Sequence, residues 1–311
     1  MDGEEVGHIP VMVEQVLEVL APRAGETLVD LTIGRGGHSE AVGRLLGPGG
    51  RVTGFDLDPA NAAFALARLE SAGWVVQTHH TNFVDAPAIL RKLEVRADLV
   101  LADLGFASTQ MDDPQRGFSF RAEGPLDMRL DPTAPVTAEQ IINEASEREL
   151  ADLIYRYGEE PLSRKIARQI VADRTALPIR TTLHLAEVVR KAYGSRARQS
   201  RMHPATKTFM ALRIAVNDEL GRLEVLWDEL ERAADDARSG GGWLKVGTRL
   251  AFISFHSLED RIIKQRMAAL VKRGAAERVT RKPLIATELE TESNPRARSA
   301  KLRAIRIAPP A

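Results

Sequence analysis

Residues 27–58 constrain the fold of this 311-residue chain more than any other stretch. An apolar run from Thr27 to Leu31 carries Asp30 and empties into a glycine-rich turn, Gly34-Arg-Gly36-Gly37, which opens a helical pattern from His38 to Leu46. A second apolar run, Arg51 to Asp56, ends on an acid. Strand, glycine turn, helix and acid-tipped strand together suit the C-terminal edge of a parallel sheet that cradles a nucleoside-bearing cofactor. The glycines let backbone approach the ligand where a Cβ would clash. The terminal acid can accept hydrogen bonds from both hydroxyls of a ribose.

The turn also discriminates between cofactors. A dinucleotide site calls for G-x-G-x-x-G, with the pyrophosphate on the helix N-terminus. Here the spacing is Gly34-x-Gly36-Gly37, and Asp30 precedes it. A carboxylate there repels a pyrophosphate and welcomes a cationic amino-acid moiety, so S-adenosyl-L-methionine is favoured over NAD. Asp30 reads equally as a ligand or as a residue that caps the turn.

The pattern around this motif is a βαβ rhythm. Strands are expected at Thr27–Leu31, Arg51–Asp56, Val75–Thr78 and Ala97–Leu104. Helices are expected at Pro10–Leu20, His38–Leu46, Pro59–Ser71 and Asp85–Leu93. This predicts a parallel sheet with right-handed crossovers. From about Asp112 to His203 no strand pattern occurs. Thr137-Ala-Glu-Gln140 is a capping box heading a helix through Tyr157, and further helices are expected at Leu162–Asp173 and from Thr182. One long amphipathic helix is expected from Pro204 to Ser239, with Phe209, Leu212, Val216, Leu220, Leu223, Trp227 and Leu230 on its apolar face. Strand patterns resume at Thr248–Ser254 and Leu302–Ile307, the latter read as a basic edge strand. The expected class is α/β, a sheet domain at 1–112 and 204–311 with an all-helical domain inserted at 113–203.

Hydrophobic residues make up 44% of the chain, enough for a sizeable core, and no 18-residue apolar run suggests a membrane span. The acidic start, Met-Asp-Gly-Glu-Glu, does not resemble a secretory signal. Cysteine is absent, which removes disulfides, zinc thiolates and thiol nucleophiles and is compatible with the cytoplasm. The seven histidines show no H-x-x-x-H spacing, so no metal site is expected. The formal net charge is zero, but it is unevenly placed. Residues 161–207 hold eleven Lys/Arg against two acids, and residues 261–306 hold thirteen against four. Two basic blocks on a neutral chain suggest a polyanion partner. Arg196, Arg198 and Arg201, in the linker before His203, are candidate phosphate contacts.

Three further segments carry chemistry. The fourth strand ends Asp103-Leu-Gly, placing a carboxylate beside the cofactor edge. Methylation of an exocyclic amine on a base calls for such an acceptor, because the delocalised lone pair is a poor nucleophile. Asp103 is therefore a candidate catalytic group, as well as a candidate strand-end turn residue. Phe118 and Phe120, in Arg116-Gly-Phe-Ser-Phe120, can stack a flipped base or anchor a loop. His256, in Ser254-Phe-His-Ser-Leu-Glu-Asp260, is a candidate base or substrate donor, or a structural histidine.

Taken in order, these segments resemble the ribosomal RNA small-subunit methyltransferase H family, also called MraW. The resemblance rests on Asp30…Gly-Arg-Gly-Gly-His-Ser39, Asp56-x-Asp-Pro59, Asp103-Leu-Gly with Gln110, and Arg116-Gly-Phe-Ser-Phe120. It continues through Gly124-Pro-Leu-Asp-Met-Arg129, Tyr157-Gly-Glu-Glu160, His203-Pro-Ala-Thr206, Ser254-Phe-His-Ser-Leu-Glu-Asp-Arg261 and Asn294-Pro-Arg-Ala-Arg298. It implies a Rossmann-like methyltransferase sheet with a helical substrate domain. The implied activity is S-adenosylmethionine-dependent N4-methylation of a cytidine in the decoding region of small-subunit ribosomal RNA. The implied partner is that RNA, or the assembled small subunit; monomer and homodimer both stay open. Implied cofactor contacts fall on Gly36, Gly37, His38, Asp56, Phe83, Asp103 and Gln110. The chain departs from the family in carrying Ala107-Ser-Thr-Gln110 where Ser-Ser-Pro-Gln is common, and Asp103-Leu-Gly-Phe106 replaces the Pro-Pro-aromatic tip of general amino-methyltransferases.

Overall fold

A computed structural model of the chain describes residues 10–106, 108–199 and 202–310. Two compact units are present: one runs to Gly105 and resumes at Leu220, and the other spans Phe106–Glu219.

The first unit is a mixed sheet. Strands β1 (Thr27–Asp30), β2 (Arg51–Asp56), β3 (Val75–His80), β4 (Ala97–Asp103) and β5 (Leu244–Ser254) are parallel. The short β6 (Ala276–Arg278) and β7 (Leu284–Ile285) and the longer β8 (Lys301–Ile307) complete it. The order is β3-β2-β1-β4-β5-β8-β6, with β7 paired to β8. The order reverses between β1 and β4, which opens a crevice beyond their C-terminal ends. β8 is antiparallel to β5 and flanked by β6, so it is an interior strand and not the edge expected from sequence. The two-residue and three-residue partners that cover it are too short to leave a period-two signature.

Successive residues of β4 face opposite cores, as strand geometry requires. Leu99 and Leu101 join Leu28, Val52 and Ile253 on one face, whereas Val100 and Ala102 join Val29, Phe55 and Phe252 on the other. Helices α1 (Val13–Leu20), α2 (Gly37–Leu46) and α3 (Pro59–Ser71) cover the first face. Helix α4 (Ala86–Lys92) and two later helices cover the second.

In the second unit, α5 (Ser108–Asp112) leads to α6 (Ala138–Glu144), α7 (Glu147–Gly158), α8 (Ser163–Ala176), α9 (Thr182–Tyr193) and α10 (Thr206–Asn217). The Thr137–Gln140 capping box is formed. The helix it starts is shorter than expected, because a second capping box, Ser146 with Glu149, opens α7. The long helix expected from Pro204 is likewise two helices. Asp218 takes a left-handed conformation (φ 48°) after α10, and α11 (Glu219–Arg238) follows. Asn217 makes the break: its side chain accepts from Leu130 N at 2.8 Å and donates to Met128 O at 2.8 Å. Continuous apolar periodicity conceals such a break, since α10 and α11 bury their faces in different cores. Returning to the first unit, α12 (Ser257–Lys272) and α13 (Glu288–Ser293) complete the helices.

One glycine in β2 fixes the glycine-rich loop to the sheet. A Cβ on Gly54 would lie 2.2 Å from Ile33 Cδ1 and 2.9 Å from Ile33 Cβ. Ile33 N donates to Phe55 O at 2.9 Å, so the loop residue lies flat on this bare stretch of strand. Gly54→Ala is expected to destabilise the protein by about 2 kcal/mol through overpacking, read as a drop of several degrees in the thermal midpoint.

Candidate active site at the C-terminal edge of the sheet

The glycine-rich loop is held from below by a carboxylate. Asp30, only 1% exposed at the tip of β1, accepts from Thr32 N at 3.1 Å and from Ser39 Oγ at 2.6 Å. One oxygen thus grips the start of the turn and the other the first turn of α2. Burial pushes the Asp30 carboxyl above its ordinary range, against the pull of Ser39. Both oxygens are used inside the protein, so Asp30 acts here as the loop's anchor.

Gly36 caps α2 with φ 79°, a conformation that side chains resist. A Cβ on Gly37 would meet the Pro10 ring at 3.0 Å, so the chain just before α1 lies directly against the loop. Asp56, at the tip of β2, accepts from Gly34 N at 2.9 Å and from Asp58 N at 2.8 Å. Asn61 Nδ2 also donates to its Oδ1 at 3.4 Å, whereas Oδ2 keeps a second acceptor direction. Burial raises the Asp56 carboxyl to about 6, against the backbone bonds that favour its charge. Phe83 follows β3, half-buried against the core that includes Phe55.

Asp103 ends β4 across the switch point. Its amide donates to Thr32 Oγ1 at 2.6 Å, which ties the end of β4 to the glycine-rich turn. Its Oδ2 lies 3.6 Å from His38 Nδ1, while its Oδ1 is buried with no hydrogen-bonding partner among the described residues. Burial, with Asp30 and Glu259 as neighbouring negative charges, pushes the carboxyl well above the ordinary range. His38 is 7% exposed, and its Nε2 donates to Val11 O at 2.7 Å. Burial lowers its basicity. Asp30, His38 and Asp103 therefore form one cluster, with Asp56 beside it on the adjoining strand. A buried acceptor without a donor fits a ligand that brings N–H groups or positive charge.

His256 is placed differently. It is the N-cap of α12, its Nδ1 accepting from Glu259 N at 3.5 Å, with Nε2 3.3 Å from Glu259 Oε1. Glu259 in turn accepts from Phe255 N at 3.0 Å. His256 thus serves as a side-chain N-cap, with Glu259 tying the helix start back to Phe255, which gives it a structural task at the end of β5.

The remaining candidates lie in the helical unit. Gln110 is buried on α5. Phe118 is 6% exposed and stacks on Phe106 with centroids 4.9 Å apart. Phe120 packs on His203 at 4.5 Å and edge-on to Phe209 at 4.8 Å. Both rings are thus engaged in packing within that unit. Arg196 and Arg198 lie exposed on the 3-10 turn Gly194–Gln199, and Arg201 lies outside the described residues. Arg196 lines a cleft of about 300 Å³ with Tyr193, His203 and Lys207. Both acids of the basic block are taken up within it: Arg190 pairs with Glu187 and Lys191 with Asp173.

Sequence reasoning missed the inward roles of Thr32 and of the Val11 carbonyl. The Val11 contact is a backbone interaction that residue type cannot reveal. It also missed Glu290 on α13, whose carboxylate accepts from Met12 N, 278 residues away in the chain. No local pattern reports such a contact.

A model of the MraW methylase family matches residues 5–308. The ribosomal RNA small subunit methyltransferase H of Acidobacterium capsulatum is 47% identical over 308 residues, covering 97% of this chain and 98% of its own. Its counterpart by name in Synechococcus elongatus is 48% identical over 298 residues, covering 95% and 93%. A match of this extent, on a sheet with its acids gathered at one edge, means that the chain belongs to the MraW methylase family.

Proposed function

We propose that this protein transfers a methyl group from S-adenosyl-L-methionine to N4 of a cytidine in the decoding region of small-subunit ribosomal RNA. The observation that carries the reading is the half-buried carboxyl of Asp103 at the switch point, whose buried Oδ1 lacks a donor among the described residues. The names of the relatives supply the RNA class.

Bound S-adenosylmethionine would supply an electrophilic methyl on a sulfonium, so the chain's own work is positioning and proton handling. Asp56 is suited to accept the ribose hydroxyls, since two backbone amides already fix its orientation. The glycine backbone of the Gly34–Gly37 turn and the half-buried ring of Phe83 are suited to the nucleoside. Asp103, beside His38, is suited to accept an N–H of the attacking amine and to draw its lone pair out of conjugation. Arg196 and Arg198, with no ion pair among the described residues, are suited to RNA phosphates.

Three outcomes are expected. Calorimetry should show S-adenosylmethionine binding and no NAD binding, with affinity falling as pH drops through about 6, where Asp56 gains its proton; tight NAD binding would overturn the cofactor assignment. In single-turnover transfer of labelled methyl to small-subunit particles at saturating cofactor, Asp103→Asn should slow the reaction by about 10²–10³-fold. Full activity of that variant removes Asp103 from the chemistry, and no transfer by the wild type to RNA or particle points to a binding protein. Arg196→Ala and Arg198→Ala should each weaken RNA binding irrespective of sequence and reduce its salt slope by about one; an unchanged slope makes these residues ordinary surface.

A further inference from the structure

We infer that Glu290 is a positioning residue of the active site, acting on His38 through the Val11–Met12 peptide. The inference rests on reading the Asp103 edge as the cofactor site. Glu290 on α13 accepts from Met12 N, and the carbonyl of the same peptide, Val11 O, accepts from His38 Nε2 at 2.7 Å. In a trans peptide these two groups point in opposite directions, so one planar unit joins the carboxylate to the imidazole. A negative charge on the N–H side polarises the amide and strengthens its oxygen as an acceptor.

The consequence at His38 is a fixed tautomer. Nε2 must carry the proton it donates to Val11 O, which leaves Nδ1 bare and facing Asp103 Oδ2 at 3.6 Å. A bare Nδ1 is compatible with a protonated Asp103 and is the base that faces it. The relay therefore runs carboxylate, peptide, imidazole, carboxyl, with its first member more than 250 residues from the imidazole of His38 in the chain. The charged groups around it are few. His38 feels Asp30 on β1 and Glu290 on α13, and Asp103 feels Asp30 on β1 and Glu259 on α12.

The surroundings suit a fixed device. Met12 is fully buried and Val11 is 5% exposed, so the peptide itself is shielded, while Glu290 reaches it from a partly exposed helix. Ala297 and Ala300, just after α13, pack in the same core as Val11 and Met12. The chain that follows α13 is thus seated by apolar contacts independent of the carboxylate, although α13 itself buries no residue.

The test is imidazole ¹⁵N NMR on the full-length protein, with calorimetry of S-adenosylmethionine. In the wild type, His38 should show a protonated Nε2 and a bare Nδ1. Glu290→Ala should mix the tautomers and weaken cofactor binding about tenfold, the scale of one lost charged hydrogen bond. Glu290→Gln offers the same acceptor without the charge. It should keep the tautomer and bind within about twofold of wild type, while the His38 titration moves to lower pH. A folded Glu290→Ala protein with an unchanged tautomer overturns the inference, and so does a Glu290→Gln protein with an unchanged His38 titration. If the tautomer responds as expected but no variant or wild type binds S-adenosylmethionine, the relay stands and the cofactor reading fails.

Discussion

A single buried carboxylate sets the geometry on which the rest of the edge depends. Asp30 spends both oxygens on its own chain, one on Thr32 N and one on Ser39 Oγ. The glycine-rich turn is thereby stitched to β1 at its start and to α2 at its end. Ile33 drops onto the bare face of Gly54, Gly34 turns its amide to Asp56, and Thr32 offers its hydroxyl to the amide of Asp103. Three strand ends are brought into register by one internal set of bonds. Keeping a carboxyl this deep is costly, and the two local bonds offset part of that cost.

The same edge separates its acids by environment. Asp30 is buried and held by its own turn, Asp56 is half-buried and held by amides, and Asp103 is half-buried with its buried Oδ1 lacking a donor among the described residues. Burial raises all three carboxyls, and an edge of this kind favours a ligand carrying positive charge, which stabilises their charged forms. The sequence preference for a cationic donor over a pyrophosphate rested on the same electrostatics, read from one residue where three take part.

Much of the sheet was legible because strands leave strong local signals. The bounds of β2 and α3 follow directly from apolar runs and the Asp58-Pro59 start, and the Thr137 capping box forms as its spacing requires. Breaks were harder. Ser146-x-x-Glu149 is a capping box within an unbroken apolar period, and Asn217-Asp218 ends a helix that periodicity would continue. Among the candidate residues, Gly36, His38, Asp56 and Asp103 are gathered at one edge. His256 is occupied by capping, and Phe118 and Phe120 by packing. Residue type alone cannot tell a ring that waits for a base from one already stacked. The Glu290 contact was invisible because it depends on a backbone amide distant in sequence.

The connection between β4 and β5 has a consequence for how the chain is made. β4 ends at Asp103, and its parallel neighbour β5 begins at Leu244. During synthesis the half-sheet β3-β2-β1-β4 emerges with one flank of β4 bare, while the intervening helices pack through nearby contacts. That flank is an open template for a wrong strand until β5 arrives. Closing so long a loop adds little to the equilibrium cost, since the penalty grows only logarithmically. The exposure lies in the waiting time, and it falls on the strand that ends in Asp103.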